Sequence, residues 1–493
     1  MASGRTLTRA TGTAVTAVTA VTATFVATGL VIPASAASAG DAAGTTGGVP
    51  SGFTPGAPGT GDPYFPDMGN GGYDVGHYDL ALSYDPASKK LTGTARISAR
   101  ATQDLSRFDL DFQGPLTISK LTVDDRPAAF TRTGAQELVI TPAHGVRKGA
   151  FFTTTVSYAG VPEKVDDPAL GISGWVATDD GAVGLNQPIG AATWYPVNDT
   201  PRDKATYSYA ISVPNNVTAL AGGEPLGKRT HGDTTTYRWA MRQPMSSELA
   251  MVAIGKYTVT PGRTPSGIPN ITAIDPQLVT TSSQPADFHG QTGDITDWEQ
   301  TLFGRYPFTS TGGIADKANV GYSLETQGRP VYDRRNPGVN PSGGLLAHEL
   351  AHQWYGDSVT PAFWKDIWLN EGFATYAEWL YSEKTGAKTA QQLFDETYAQ
   401  SPDAEVWKPV MADPGRDNIF HETVYDRGAM TLHMVRKAIG DKDFFALLER
   451  WPTEHRYGNV TTADFIAFAE RLSGKDLSPL FTAWAFTAGK PSL

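Results

Sequence analysis

Leu345-Leu346-Ala347-His348-Glu349-Leu350-Ala351-His352-Gln353-Trp354-Tyr355-Gly356 is the run on which the reading of this 493-residue chain turns. No proline or glycine interrupts 345–355 and Gly356 is a natural stop, so the run is predicted to be a helix. On a helix His348 and His352 stand about 40° apart around the axis and ~6 Å apart along it, so both imidazoles can reach one metal ion. Glu349 points ~100° away from them. It is poorly placed as a ligand but can reach an attacking water from the side, as a general base must. The bland alternative is two core histidines beside a surface glutamate. With only nine histidines in the chain, an accidental H-E-x-x-H is uncommon.

A catalytic site on this helix needs a third protein ligand, and the chain contains no cysteine to provide it. Downstream runs Trp364-Lys365-Asp366-Ile367-Trp368-Leu369-Asn370-Glu371-Gly372-Phe373-Ala374. Glu371 follows His352 at a distance that allows a loop and a returning helix. Two histidines and a glutamate leave one position open for water, the layout of a catalytic rather than a structural zinc. Position alone leaves Asp366, Glu378 and His421 as rivals to Glu371.

Outward from this centre the pattern divides. The segments 290–303, 343–355, 368–384, 389–400, 424–439, 442–450 and 461–472 carry apolar residues near a 3.6 spacing and are predicted helices. From Pro63 to about Tyr257 the period is two. Leu80, Leu82 and Tyr84 alternate with smaller residues, Phe108, Leu110 and Phe112 with Asp109 and Asp111, and Tyr207, Tyr209, Ile211 and Val213 with Ser208, Ala210 and Ser212. A Pro/Gly-containing connection over 258–270 separates the two patterns. No internal repeat is visible. The expected class is α+β, with a β-rich domain at 63–260 and a mostly helical one at 261–493.

The N-terminus carries Arg5 and Arg9, an apolar Ala/Val/Thr stretch from Ala14 to Ile32, and Ala34-Ser35-Ala36, with no acid before Asp41. This is the pattern of a secretory signal peptide over 1–36, with an uncleaved membrane anchor as the alternative. Residues 37–62 are Gly-, Ala-, Pro-, Thr- and Ser-rich and read as a flexible leader. The expectation is a secreted protein, not held by the membrane after cleavage. The formal charge is −11, from 40 basic and 51 acidic residues, which argues against nucleic acid or an anionic membrane as the main partner.

At this point the residues resemble a family. His348-Glu349-x-x-His352 followed by Glu371 inside WLNEGFA resembles the gluzincin aminopeptidases typified by aminopeptidase N, and 352–380, HQWYGDSVTPAFWKDIWLNEGFATYAEWL, is similar to them almost throughout. Tyr425-Asp426-Arg427-Gly428-Ala429 resembles the family's Y-E-K-G-A segment, with arginine in place of lysine. That likeness implies an oxyanion-stabilising role for Tyr425, which without it would be one of nineteen tyrosines. Gly321-Tyr322-Ser323-Leu324-Glu325-Thr326-Gln327 resembles the G-A-M-E-N exopeptidase motif, with Leu324 for its methionine and Thr326 for its asparagine, and keeps the glutamate that in the family binds the substrate α-amine. Gln187 to Ala205 resembles the stretch running from a substrate-contacting glutamine to P-C-x-D-x-P-x-x-K-A, with Val197 for the cysteine. Pro244-Met245-Ser246-Ser247 and Phe303–Phe308 fit as well.

The resemblance covers 70–493, where the chain stops without the large helical C-terminal domain that many members carry. It implies a saddle-like β domain before a thermolysin-like catalytic domain, with the site between them. It also implies one Zn2+ per chain on His348, His352 and Glu371, catalysis by Glu349 and Tyr425, and substrate binding by Glu325 and Gln187. The expected activity is removal of N-terminal residues from peptides with a free N-terminus, by a monomer. A thermolysin-type secreted endopeptidase on the same zinc is the main alternative. Epoxide hydrolysis, as in some relatives, and a binding protein with a decayed site are more distant ones.

Overall fold

The alternation at Leu80, Leu82 and Tyr84 runs from Tyr78 to Asp85 and resumes at Tyr73 and Val75 beyond an irregularity between Val75 and His77, so that the strand Tyr73–Asp85 buries its inward side chains and turns the outward ones to solvent. The computed structural model describes residues 52–279, 287–333 and 343–493. In it this strand pairs antiparallel with Lys90–Ala101 and parallel with Ala205–Pro214. They form the middle of an eight-stranded sheet that also takes in Glu224–His231, Thr234–Met245, Phe151–Gly160, Thr117–Val123 and Arg126–Pro127. Period two gives such a sheet one dry face. Tyr78, Tyr195 and Tyr207 fill part of it, with Tyr78 and Tyr207 stacked at 4.8 Å.

A second sheet of five strands contains Gly171–Ala177, Ala182–Leu185 and Val252–Gly255. Ala182–Leu185 and Val252–Gly255 are buried on both faces, so these strands are continuous small and apolar runs rather than alternating ones. Trp175 meets Tyr84 edge-on at 5.2 Å, joining the two sheets. A further four-stranded sheet pairs Thr54–Pro55 and Glu137–Thr141 with Leu105–Asp111.

Three expectations need correction. The connection over 258–270 is a hairpin, Thr258–Arg263 against Pro269–Ile274. It opens a sheet continued in parallel by Thr311–Ala315 and Val331–Tyr332, strands that the helical pattern of this half concealed. Thr-Gly-Gly-Ile-Ala shows no period. Its glycines are required by close approach, since a Cβ on Gly312 would lie 1.9 Å from the Ile271 carbonyl oxygen.

The expected helix over 343–355 runs only from Gly344 to Ala351. Beyond His352 the chain turns back through Gly356, whose φ of +130° brings it against Asn370 and the His352 ring.

Of the leader expected over 37–62, residues 37–51 lie outside the described residues, as does the whole signal-peptide segment. Residues 52–62 are packed: Thr54–Pro55 is paired, and the buried Asp62 carboxylate accepts from the Tyr64, Phe65 and Trp364 amides.

The longer remaining helices fall at Phe288–Phe303, Trp368–Lys384, Ala390–Tyr398, Gly428–Ile439, Asp441–Glu454 and Thr462–Ser473, each close to a predicted segment. Thr389 with Gln392, and Thr461 with Asp464, form capping boxes that fix two of the starts. Ser478–Trp484 is an additional helix that was not predicted. Among the described residues no helix is long and apolar enough to cross a membrane.

Candidate metal centre and active site

The helix Gly344–Ala351 packs beside Trp368–Lys384, and this crossing assembles the donors. His348 Nε2 and His352 Nε2 each lie 3.3 Å from Glu371 Oε2. The ligand atoms of the three residues fall within 4.8 Å of one another, and all three residues are buried. Although the regular helix ends at Ala351, the His352 amide still donates to the His348 carbonyl at 3.3 Å, so the four-residue spacing keeps its helical geometry.

The other imidazole nitrogens are occupied. His348 Nδ1 lies 2.7 Å from Glu378 Oε1 and His352 Nδ1 lies 3.0 Å from the Tyr355 carbonyl. Acceptors on Nδ1 hold a proton there and aim each Nε2 at one point, where its lone pair serves an ion once the Nε2 proton is displaced.

Glu378, a rival third ligand by position, is thus the partner of His348 rather than a donor to the ion. It stands seven residues after Glu371, two helical turns along the same face, so the two carboxylates bracket one imidazole. The other rivals are elsewhere. Asp366 accepts from the hydroxyl and amide of Thr462 at 2.6 and 3.1 Å, capping the last long helix. His421 Nδ1 meets the Thr423 hydroxyl at 3.0 Å.

Two nitrogens and one carboxylate oxygen, neutral-to-hard donors without thiolate, suit zinc well. Burial disfavours the His348 cation, but Glu371 and Glu378 outweigh it and hold the imidazole well above its usual range. Burial likewise opposes the Glu371 carboxylate, and the His352 and His348 charges overcome it and keep it down. An ion bound here displaces protons from such a site.

Glu349 is 4% exposed and lines the same cavity. Burial pushes its carboxyl up to about 8 against the pull of the two histidines. Positive charge held by the neighbouring donors favours its ionised form.

The cavity holds about 390 Å³ and is lined from both halves of the fold, by Leu170 and Gln187 on one side and Tyr322, Glu325, Phe420 and Tyr425 on the other. The ring of Tyr425 stacks on His348 at 6.1 Å and 19°, and its hydroxyl reaches Glu371. Glu325 is 2% exposed and accepts from Gln187 Nε2 at 2.7 Å. Its ligand atom, with those of Glu349 and His352, forms a second group within 4.8 Å. All seven residues expected at the site are therefore brought together.

Two supporting residues were not anticipated. Gln353 donates to the Glu325 carbonyl at 3.2 Å and accepts from the Gly328 amide at 2.6 Å, clamping the loop. The fully buried Arg329 donates to the Ala221, Gly223 and Ile271 carbonyls, tying that loop to both halves. Neither leaves a signal in the sequence, because their partners are main-chain groups distant along the chain.

A model of the Peptidase M1 N-terminal domain matches residues 75–249, and one of the Peptidase family M1 domain matches 341–484. The chain belongs to peptidase family M1. Glutamyl aminopeptidase from Bos taurus is 27% identical over 330 residues, covering 62% of this chain and 34% of that protein. Aminopeptidase M1 from Arabidopsis thaliana is 24% identical over 449 residues, covering 84% of this chain and 50% of that one. The chain thus spans a third to a half of the length of these M1 relatives. A two-domain likeness is closer in extent. A mutant M1 zinc metallopeptidase from Deinococcus radiodurans, bound to a Tyr-Ser-Ala substrate, superposes with a TM-score of 0.79 at 27% identity. That match covers 88% of this chain and 98% of the other. M1 membership and the N2O donor set identify the ion as zinc.

Proposed function

We propose that this protein is a secreted zinc-dependent aminopeptidase, a monomer that removes residues one at a time from the free N-terminus of peptides. The observation that carries this reading is the buried Glu325 carboxylate, steadied by Gln187 and standing within 4.8 Å of the Glu349 and His352 ligand atoms. In an amino acid the α-nitrogen and the carbonyl carbon are only about 2.5 Å apart, so an acceptor for the terminal ammonium has to sit this close to the metal donors. An acidic wall at that distance would stand in the way of a further residue on the amino side. The M1 relatives named aminopeptidases, and the neighbour bound to Tyr-Ser-Ala, support the same reading. Internal cleavage on the same zinc is the competing reading, and the wall speaks against it.

His348, His352 and Glu371 would hold the zinc, which when bound would supply Lewis acidity to the scissile carbonyl and to the attacking water. Glu349 takes a proton from that water and returns it to the leaving amine. The Tyr425 hydroxyl donates to the oxygen that becomes negative as the carbonyl carbon turns tetrahedral. Glu325 and Gln187 hold the ammonium, a charge-assisted contact that measures one residue from the end.

Zinc stoichiometry, together with hydrolysis of paired peptides with free and acetylated N-termini, tests this. Acetylation removes the charge and adds bulk at Glu325, so rates should fall about a hundredfold or more. Equal rates on both peptides, or internal cuts made first, end the aminopeptidase reading. Secretion rests on Arg5, Arg9, the apolar run and Ala34-Ser35-Ala36. Protein from culture medium should begin at or close to Ala37, and recovery of the full-length chain in membranes contradicts it.

A further inference from the structure

We infer that Arg427 is a positioning residue for Tyr425, tying the turn that carries the phenol to segment 483–487; this rests on the oxyanion role proposed for Tyr425. Tyr425 sits in a single widened turn, the π-helical Thr423–Arg427, which runs straight into the helix Gly428–Ile439. Such a turn has slack that a regular helix lacks, so its placement has to be imposed from outside. On one side it abuts the helix that bears Glu371 through two glycines. A Cβ on Gly372 would lie 2.9 Å from Gly428 Cα, and one on Gly428 would lie 2.8 Å from Gly372 Cα.

On the other side stands Arg427. Its side chain is fully buried and forms no ion pair among the described residues. Nε donates to the Trp484 carbonyl at 2.8 Å, and Nη2 donates to those of Ala483 at 3.1 Å and Thr487 at 2.5 Å. The first two of these residues end the helix Ser478–Trp484, where unpaired carbonyls carry partial negative charge that suits a cation, and Thr487 lies three residues beyond it. The Trp407 ring lies 5.9 Å from the guanidinium.

Burying an arginine against main-chain oxygens is costly unless several are satisfied together, and the planar fork satisfies three. A lysine, which the resembling Y-E-K-G-A segment carries, brings the charge but not the fork. The turn is therefore held between the glycine contact at the metal-bearing helix and the guanidinium at 483–487. The phenol lies between these holds, stacked on His348.

A double-mutant cycle tests this, using zinc-loaded Arg427→Gln, Tyr425→Phe and the double variant, each checked for metal content and melting temperature. Loss of the phenol should lower kcat about a hundredfold. Arg427→Gln should lower kcat about tenfold with KM within about twofold, because a displaced donor is costly in the transition state and not in binding. In the Tyr425→Phe background the same substitution should cost less than about twofold more. Equal kcat factors in both backgrounds, or an unchanged kcat, overturn the positioning role and leave the aminopeptidase reading standing. Full turnover by Tyr425→Phe instead overturns the oxyanion role and the inference with it. Should Arg427→Gln not fold, Arg427→Lys runs the same cycle, with a smaller kcat loss that again vanishes without the phenol.

Discussion

At the metal end of the cavity the donors come from two neighbouring helices, and His348 and Glu371 are 23 residues apart. At the proposed ammonium end Gln187 and Glu325 are 138 residues apart and come from the β-rich half and from a loop of the other half. Each helix of the first pair carries its donors at fixed intervals, so the site exists once the two helices cross. The second pair exists only when the two halves of the fold meet, and clamps such as Gln353 and Arg329 are needed to hold the loop there. The donor set for the metal thus rests on local structure, and the Gln187–Glu325 contact, on which the proposed end-cutting depends, rests on tertiary contact.

This contrast is broken most severely at the metal end. His352→Ala should lose both zinc and activity, whereas Glu349→Gln should keep zinc and lose activity about 10³- to 10⁴-fold, since only proton transfer is removed. Metal analysis beside turnover separates the two, and near-full turnover by Glu349→Gln removes it as the base.

The ammonium end should respond selectively. Glu325→Ala should reduce kcat/KM on free peptides by about a hundredfold, within the 2–5 kcal/mol expected for a buried charge pair, and leave any slow cleavage of acetylated peptides unchanged. Equal losses on both substrates would mean that Glu325 shapes the cavity without reading the amine.

A smaller effect belongs to Glu378, which touches His348 and not the ion. Glu378→Gln should weaken zinc by about 10- to 100-fold in competition with a chelator, and saturating zinc should restore most of the activity. Unaltered zinc affinity would show that the 2.7 Å contact with His348 contributes nothing.

The least effect is expected where Arg416 donates to Asp167 across the two halves. The hydrogen bond from Arg416 holds the Asp167 carboxyl down to about 2. A lowered acid contributes stability that is present above its unfolded value near 4 and is lost as pH falls toward 2. Because Arg416 is a third exposed, the contribution should not exceed ~1 kcal/mol. Asp167→Asn should lower the unfolding midpoint slightly at pH 6 and converge with wild type by pH 2. A constant gap across that range would assign the effect to packing.

Helix period and motif spacing determined His348, Glu349, His352 and the return helix Trp368–Lys384 from sequence alone, because a helix fixes side-chain directions over a few residues. Period two likewise determined the strands of the large sheet, where one wet face leaves a visible alternation. Strands buried on both faces or built from glycine, such as Thr311–Ala315, left no such trace. Resemblance pointed to Tyr425, Glu325 and Gln187, which periodicity could not distinguish from core residues. Only the tertiary structure decided that Glu371 faces Nε2 of His348 while Glu378 faces Nδ1, since both carboxylates share one helix face and the crossing of two helices selects between them. It alone brought Gln187 to Glu325 and Arg427 to the carbonyls of 483–487, because hydrogen bonds between distant segments are set by how the sheets and helices pack and not by any local pattern.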